Sequence, residues 1–482
     1  MKRKEILEGT VDYVNYPNKG ILRVEGRKVG VKNVIPGQKV RFRVLKAGEG
    51  KATGRLLEVL EKSPLETEKE LCGIFPDCGG CLYQSLPYEE QLKMKEDQLY
   101  RLLSPYFDEN TLFEGIKPSP EAFAYRNKME FSFGNTVKDG PMTLGLHKKG
   151  STYDVLDADT CRIVHPDLRK ILTCTREYAK ARGFQPYNKI RHDGDMRFLL
   201  VRRAQYTGEI LVCLVTTSEK AHDYRAWCEE IRALDLEGQP VGIFHATCDS
   251  FGDDVAAEHL TCLFGRDYMT DKLLGLTFKI SLFSFFQTNT KGAEILYQTV
   301  RDYVGKEKNT VLYDLYCGTG TIAQLMAENA GHVYGIEIVE EAVEAARANA
   351  SLNGIDNCTF IAGDVLKKLE ELPERPDFII LDPPREGVVP KALAKVIAYG
   401  VPKMVYVSCK ATSFVRDMET FRTFGWRIER CSLVDMFPHT QHVECVTLLS
   451  KKNVRTRDCV EIGVDAEEYY RIKDMNQGEL MK

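Results

Sequence analysis

Three groups of residues in this chain have the types and spacing for chemistry. The first is VSCKATSFVRD, residues 407–417. Cys409 stands there at the carboxyl end of a strand-like run (MVYVS), ahead of a polar stretch that opens a helix. Such a cysteine is core packing, a metal ligand or a nucleophile, and taken alone it favours packing, because free cysteines are usually buried. The second group is LCGIFPDCGGCLYQ, which sets Cys72, Cys78 and Cys81 in a C-x5-C-x2-C pattern within a glycine-rich loop. Three sulfurs this dense suit tetrahedral zinc or a four-iron cluster, given a fourth ligand. Cys161, in ADTCRIVHP, is the candidate distant partner. The spacing differs from the C-x3-C-x2-C of radical enzymes, which disfavours radical chemistry.

The third group is VLYDLYCGTGTIA, a strand, a glycine turn and a helix start. Gly318 and Gly320 let the backbone approach a ligand closely, and a helix N-terminus follows. A G-x-G is weak by itself, and with Ala323 in the third place nothing else in the run marks a dinucleotide site. The following strand ends say more. Glu337 closes VYGIEI, where a carboxylate can hold both ribose hydroxyls. Asp364 closes FIAGD, where it can accept from an adenine amino group, and Asp382-Pro383-Pro384 closes the next strand. Acids in register at the carboxyl edge of a parallel sheet describe a pocket for an adenosine-bearing ligand. The order D-x-x-x-G-x-G, acid, acid, D-P-P resembles the class I S-adenosylmethionine-dependent methyltransferases.

A methyl donor narrows the role of Cys409. Pyrimidine C5 is a poor nucleophile, but a thiolate added at C6 makes the ring enolate-like and reactive at C5. A base must then take the C5 proton so that the thiolate can leave. A free thiol titrates at roughly 8.5, so the site must favour the thiolate. DMFPHTQHVECV (435–446) supplies Glu444 just before the last strand, with His439 and His442 as alternative bases. Arg385, in DPPREG, either orients a substrate or holds its own loop.

These residues need large elements to position them, and 482 residues at 43% hydrophobic can bury more than one core. No apolar run approaches a membrane span and no signal peptide opens the chain, so a cytoplasmic protein with no membrane partner is expected. Fifteen cysteines suit free thiols, metal ligands or catalysts in that compartment. Residues 1–62 hold 15 Lys and Arg against 7 Asp and Glu, a balance of +8 in a chain of net charge −4. The remaining 420 residues therefore carry −12. A small basic module on an acidic protein reads as a solvated surface or as a nucleic-acid grip.

Short strands broken by Pro17-Asn18-Lys19-Gly20, Pro36-Gly37 and Gly48-Glu49-Gly50 predict a small barrel over 1–62. Residues 63–270 predict a mixed α+β region holding the cysteines, with a helix over 88–105 that packs on the catalytic part. Residues 271–450 alternate helices and strands, which predicts a doubly wound parallel sheet of Rossmann type. Residues 451–482 predict a loosely attached acidic tail containing Tyr469 and Tyr470.

The motifs VSCKATSFVRD, DMFPHTQHVE, DLYCGTGT, LDPPREG and SFFQTN (284–289) together resemble the RNA (uracil-5-)-methyltransferases, over essentially residues 1–450. The resemblance implies Cys409 as nucleophile and Glu444 as proton-abstracting base. It implies Gln287, Tyr316, Gly318, Gly320, Glu337, Asp364 and Asp382 in the cofactor pocket. Phe285 would stack on the target base, and Asp382 and Arg385 would face the uracil. Many relatives read Ser-Cys-Asn-Pro at the nucleophile, whereas this chain has Ser408-Cys409-Lys410-Ala411. The same family carries a [4Fe–4S] cluster on the pattern of Cys72, Cys78, Cys81 and Cys161. The barrel is similar to the TRAM module of RNA-modifying enzymes, OB-like in shape. The combination looks most like enzymes of 23S ribosomal RNA, acting as monomers on a flipped uridine, since tRNA-directed relatives typically lack barrel and cluster.

Four other readings compete. A tRNA uracil-5-methyltransferase would share the whole site. A cytosine-5-methyltransferase would place its cysteine after proline, and an amino-methylating enzyme would need no thiol. A non-catalytic RNA-binding iron–sulfur protein would not need the set Gln287, Glu337, Asp382, Cys409 and Glu444.

Overall fold

The computed structural model describes residues 1–451 apart from 49, 220–221, 253–256, 307–309, 370 and 373. All but the first residue of the expected tail, with Tyr469 and Tyr470, lies outside the described residues.

The chain begins with β1 (Ile6–Asn15), β2 (Lys19–Val24), β3 (Arg27–Lys32), β4 (Lys39–Ala47) and β5 (Lys51–Glu61). They close into a five-stranded barrel in the order β1-β2-β3-β5-β4, with β4 pairing back onto β1. Alternating apolar residues fill it: Val11, Val14, Leu22, Val29, Val31, Val40 and Phe42 are buried inside. The helix α1 (Tyr88–Leu103) and the strand β6 (Leu112–Lys117) follow.

A seven-stranded sheet comes next. Its elements are β7 (Lys128–Asn135), β8 (Met142–His147), β9 (Val155–Asp157), α2 (Pro166–Ala181), β10 (Met196–Arg203), β11 (Glu209–Thr216), α3 (Arg225–Arg232), β12 (Gln239–Thr247) and β13 (His259–Gly265). The order is β13-β12-β11-β10-β7-β8-β9. Only β11 and β12 run parallel, and they are joined through α3, as a parallel crossover requires. A hairpin of β14 (Tyr268–Leu273) and β15 (Leu276–Ser281) leads out of this region.

The remaining elements are α4 (Thr290–Val304), β16 (Val311–Leu315), α5 (Thr321–Met326), β17 (His332–Glu337), α6 (Glu340–Leu352), β18 (Cys358–Ala362), α7 (Val365–Lys368), β19 (Phe378–Leu381), α8 (Pro390–Ala398), β20 (Lys403–Ser408), α9 (Ala411–Thr423), β21 (Trp426–Val434) and β22 (Glu444–Lys451). The sheet order is β18-β17-β16-β19-β20-β22-β21-β6. Strands β16 to β20 are parallel, and the order reverses between β16 and β19. That reversal opens a crevice at the carboxyl ends, where doubly wound sheets bind ligands.

Two features of this sheet lie beyond the predicted alternation. Strand β22 enters antiparallel beside β20. The edge strand β6, from the stretch expected to belong to the central region, pairs parallel with β21. Helix α1 also joins this core, because Leu99 and Leu103 are buried with Phe414, Met418 and Phe421 of α9. No helix among the described residues is long and apolar enough to cross a membrane.

Candidate active site

Cys409 is the first residue beyond β20, and Glu444 is the first residue of β22. These strands are antiparallel with Ser408 opposite Cys445. The same register, carried one residue further, sets Cys409 against Glu444, and opposed residues of an antiparallel pair point to one face. Glu444 is only 4% exposed. Burial, with Asp382 adding repulsion, lifts its carboxyl from the usual 4.5 to about 8, and Arg385 opposes the rise. Burial raises Asp382 to about 7. Burial, then Glu444 and Asp382, push the Cys409 thiol up to about 11, and Arg385 again pulls it down. The guanidinium of Arg385 is thus the cation in electrostatic reach of both groups.

Helix α9 holds the two loops around the thiol. Its Ser413 hydroxyl donates to the Arg385 carbonyl at 2.7 Å, and Asp417 accepts from the Val388 N–H at 2.8 Å and from the Tyr406 hydroxyl at 2.7 Å. The two histidines beside Glu444 have other occupations. His439 stacks on Phe123 at 4.3 Å and hydrogen-bonds the Gln91 amide at 3.1 Å through Nδ1. Burial depresses both His439 and His442 to about 4, so neither is a strong base.

The glycine turn between β16 and α5 has Tyr316 at φ +67°, Gly318 at +54° and Gly320 at +69°. A side chain at Gly320 would strike the Phe360 ring at 2.4 Å, whereas one at Gly318 would meet open space. The Gly318 N–H donates to Glu337 at 3.1 Å, and the other oxygen of Glu337 accepts from Ile338 and Val339 at 2.8 and 3.0 Å. Asp364 caps α7 through the Lys367 N–H at 3.3 Å and lies in electrostatic reach of the Tyr316 phenol. Gln287 lies beside the hydroxyl of the buried Tyr297, which also faces Asp382 and Glu444.

Asp314, on β16, is fully buried. One of its oxygens accepts from the Ala323 N–H at 2.9 Å, and the other has no partner. Burial and the neighbouring Asp382 hold this carboxyl well above its ordinary range. Asp314, Glu337, Asp382 and Glu444 therefore converge on one crevice floored by an open glycine turn. Such an array favours a cationic ligand and fits S-adenosylmethionine, whose sulfonium carries the charge.

Residues 256–452 match the family described as tRNA (Uracil-5-)-methyltransferase. An uncharacterized RNA methyltransferase of Caldanaerobacter subterraneus subsp. tengcongensis is 46% identical over 451 residues, covering 94% of this chain and 100% of the relative. One from Clostridium tetani is 45% identical, covering 94% and 99%. The chain belongs to the RNA (uracil-5-)-methyltransferase family. Among solved structures, the tRNA (uracil-54, C5)-methyltransferase of Pyrococcus abyssi, in complex with S-adenosyl-L-homocysteine, is similar with a TM-score of 0.71 and 26% identity. The match covers 92% of this chain and all of that one.

Phe285 of this methyltransferase is 66% exposed in the loop before α4. That loop is pinned from below by Arg202, a fully buried guanidinium that donates to the carbonyls of Ser281 at 2.9 Å and Ser284 at 2.6 Å. Asn127 fixes the Gln287 carbonyl at 2.9 Å. The four cysteines 72, 78, 81 and 161 are all buried and electrostatically coupled to one another. The neighbouring Cys161 lowers the Cys72 thiol, while burial pushes Cys81 up to about 12. Among the described residues, no group of three or more His, Cys, Asp or Glu is arranged to hold a metal ion. The cysteine loop also reaches the active site: the N–H groups of Leu82 and Tyr83 donate to the His439 carbonyl at 2.8 and 3.0 Å.

Asp314, Tyr297 and Arg202 were not singled out from the sequence. Asp314 opens the D-x-x-x-G-x-G signature and was legible there. Tyr297 and Arg202 lie in ordinary helix and strand patterns that carry no local signal.

Proposed function

We propose that this methyltransferase makes 5-methyluridine in RNA, with Cys409 as nucleophile and Glu444 as base, most fittingly in 23S ribosomal RNA. The observation that carries this reading is the opposition of Cys409 and Glu444 beside Asp382. The Cys409 sulfur bonds to C6 of the uracil, and the C5=C6 electron pair moves onto the ring. S-adenosylmethionine, when bound, supplies an electrophilic methyl group to C5. Glu444 then takes the C5 proton, C5=C6 re-forms, and the C6–S bond breaks to return the thiolate. A carboxyl lifted to about 8 suits this step, because a base works best with a pKa near the working pH. Arg385 offsets the charge of the thiolate and of the base.

Gln287, Tyr316, Gly318, Gly320, Glu337, Asp364 and Asp382 would hold the cofactor, with Asp314 beneath them. Phe285 would stack on the uridine once it leaves its helix. Cys72, Cys78, Cys81 and Cys161 are read as ligands of a [4Fe–4S] cluster. The four thiols are buried, and the part of such a group is structural, since the loop braces His439. The basic barrel would track phosphates in TRAM fashion. A cytoplasmic monomer completes the reading.

A tRNA substrate is the second reading. It is favoured by the similarity, over 92% of this chain, to an enzyme named for tRNA uracil-54. That breadth includes the barrel, so the barrel by itself does not choose between the two RNAs.

The test is a covalent trap. The protein is incubated with S-adenosylmethionine and 5-fluorouridine-substituted 23S rRNA or tRNA, and the denaturation-resistant adduct is measured. The expected result is an adduct with rRNA that is lost in Cys409→Ala. An adduct with tRNA alone replaces the substrate. No adduct with either, while cofactor still binds, overturns the uracil reading.

A further inference from the structure

The loop that carries Phe285 and Gln287 joins β15 to α4. The seven-stranded sheet holds it at both ends. From β10, Nη1 of Arg202 donates to the carbonyls of Ser281 at 2.9 Å, Leu282 at 3.3 Å and Ser284 at 2.6 Å. Asn127, just before β7, donates through its amide to the Gln287 carbonyl and the Thr290 hydroxyl, both at 2.9 Å. Its backbone N–H donates to the Thr288 carbonyl at 2.8 Å. The two holders are neighbours. Arg202 lies opposite Lys128 in the pairing of β10 with β7, and the Arg203 N–H donates to the Asn127 carbonyl at 2.8 Å.

Between these holders the two phenylalanine rings part. Phe286 is buried, with its ring centre 6.0 Å from that of Phe278. Phe285, the residue before it, stays outside. Arg202 is a demanding choice for a mere tie. It is fully buried, its donors reach carbonyls rather than a carboxylate, and Nε and Nη2 have no partner among the described residues. A buried cation without a counter-ion destabilises a fold. What the arrangement achieves is to gather three carbonyls of one turn on a single nitrogen, which fixes the backbone immediately before Phe285.

We propose that Arg202 is a positioning residue for RNA recognition, which fixes the 281–284 turn from the central sheet so that Phe285 stands out as a preformed stacking surface. This rests on the function proposed above for the identity of the base, but not for the order of the loop. A ring on a slack loop must be ordered when a base arrives, and that loss comes out of the affinity. A ring on a tied loop has already lost that freedom. Gln287 has its own holder in Asn127, so the cofactor side of the loop does not depend on Arg202.

Two measurements on Arg202→Met test the proposal. Chymotrypsin cleavage after Phe283 and Phe285 in the free protein should quicken at least about fivefold, as the turn opens more often. Unchanged cleavage overturns the proposal whatever the reaction is. RNA affinity should fall about fivefold, the scale of ordering one side chain, with S-adenosylmethionine affinity held within about twofold. The loss should be carried by Phe285, so adding Arg202→Met to Phe285→Ala should weaken RNA binding by less than about twofold further. An equal loss in both backgrounds overturns the proposal, because the guanidinium would then act elsewhere. Arg202→Lys keeps the charge and part of the donor set, and should recover part of the affinity. Should Arg202→Met not fold, Arg202→Gln, shorter and uncharged, carries the same two measurements. Failure of the unaltered protein to bind RNA would strike the uracil reading instead and leave the cleavage result to decide on Arg202.

Discussion

Cys409 and Glu444 lie opposite each other across β20 and β22, one residue past the Ser408–Cys445 pair. The strand ladder, rather than a flexible loop, therefore sets the separation of the proposed nucleophile and base. The arrangement places a carboxylate and a thiol in one buried setting, and that has a measurable cost.

The cost follows the protonation of Glu444. Its folded value of about 8 lies above the ordinary 4.5. Below 4.5 both folded and unfolded chains are protonated there, and burial costs nothing. Between the two values the unfolded chain has released a proton that the fold retains, so stability falls as pH rises. Above 8 the full cost is present. Glu444→Gln should therefore raise the melting temperature at about pH 8 and leave it unchanged at about pH 4.5, with roughly 3 kcal/mol of difference at neutral pH. Thermal unfolding at several pH values checks this, and a constant offset across the range would contradict it. The same variant should accumulate the methylated adduct with normal RNA.

The two glycines of the cofactor turn should separate binding from folding. Gly318→Ala meets nothing in the protein, so it costs about 1–2 kcal/mol for its positive φ but fills space next to the proposed ligand. It should unfold near the normal temperature and lose S-adenosylmethionine. Gly320→Ala meets the Phe360 ring and should lower stability by roughly 3 kcal/mol. Calorimetry with and without cofactor reads both. Tight cofactor binding by Gly318→Ala would remove this turn from the site.

Much of this was legible in the sequence, and the reason is local. The barrel and the parallel sheet announce themselves through alternation and punctuation, and Cys409, Asp382 and the glycine turn sit in short motifs. Arg385 was legible as a residue but not as the cation shared by Cys409 and Glu444, since that depends on two loops meeting over α9. Strand β6 was invisible for the same reason. Its partner, β21, lies hundreds of residues away, and no periodicity reports a pairing at that range.

A buried ion pair supports the segment that leads to Glu444. Lys95 of α1 reaches Asp435 at 2.7 Å and the Phe437 carbonyl at 3.1 Å, with both charged side chains out of solvent. Lys95→Met strands the Asp435 charge and should cost about 3–5 kcal/mol. Adding Asp435→Asn should restore part of the loss, as read by denaturant unfolding. A single Lys95→Met as stable as the parent would refute the bracing role of α1.

Phe285 offers the cleanest separation of RNA from cofactor. Because it is 66% exposed, Phe285→Ala should change stability by under about 0.5 kcal/mol. Loss of base stacking should weaken RNA binding at least about tenfold, given roughly 1–3 kcal/mol per stacked base. S-adenosylmethionine binding should not move. Equal RNA affinity in a titration would assign the exposed ring to another task.

The edge strand β6 has a consequence for how the protein is made. Its Glu114 pairs with Arg430 of β21, 316 residues later. At roughly 5–20 residues per second, a ribosome takes about 15–60 seconds to span that distance. For that interval β6 and the apolar face of α1 are in the nascent chain without the strands that will cover them. The barrel can close as soon as it emerges, but the catalytic sheet waits for β21 and β22. A chain stalled before β21 would hold a basic barrel beside a helix without its cover.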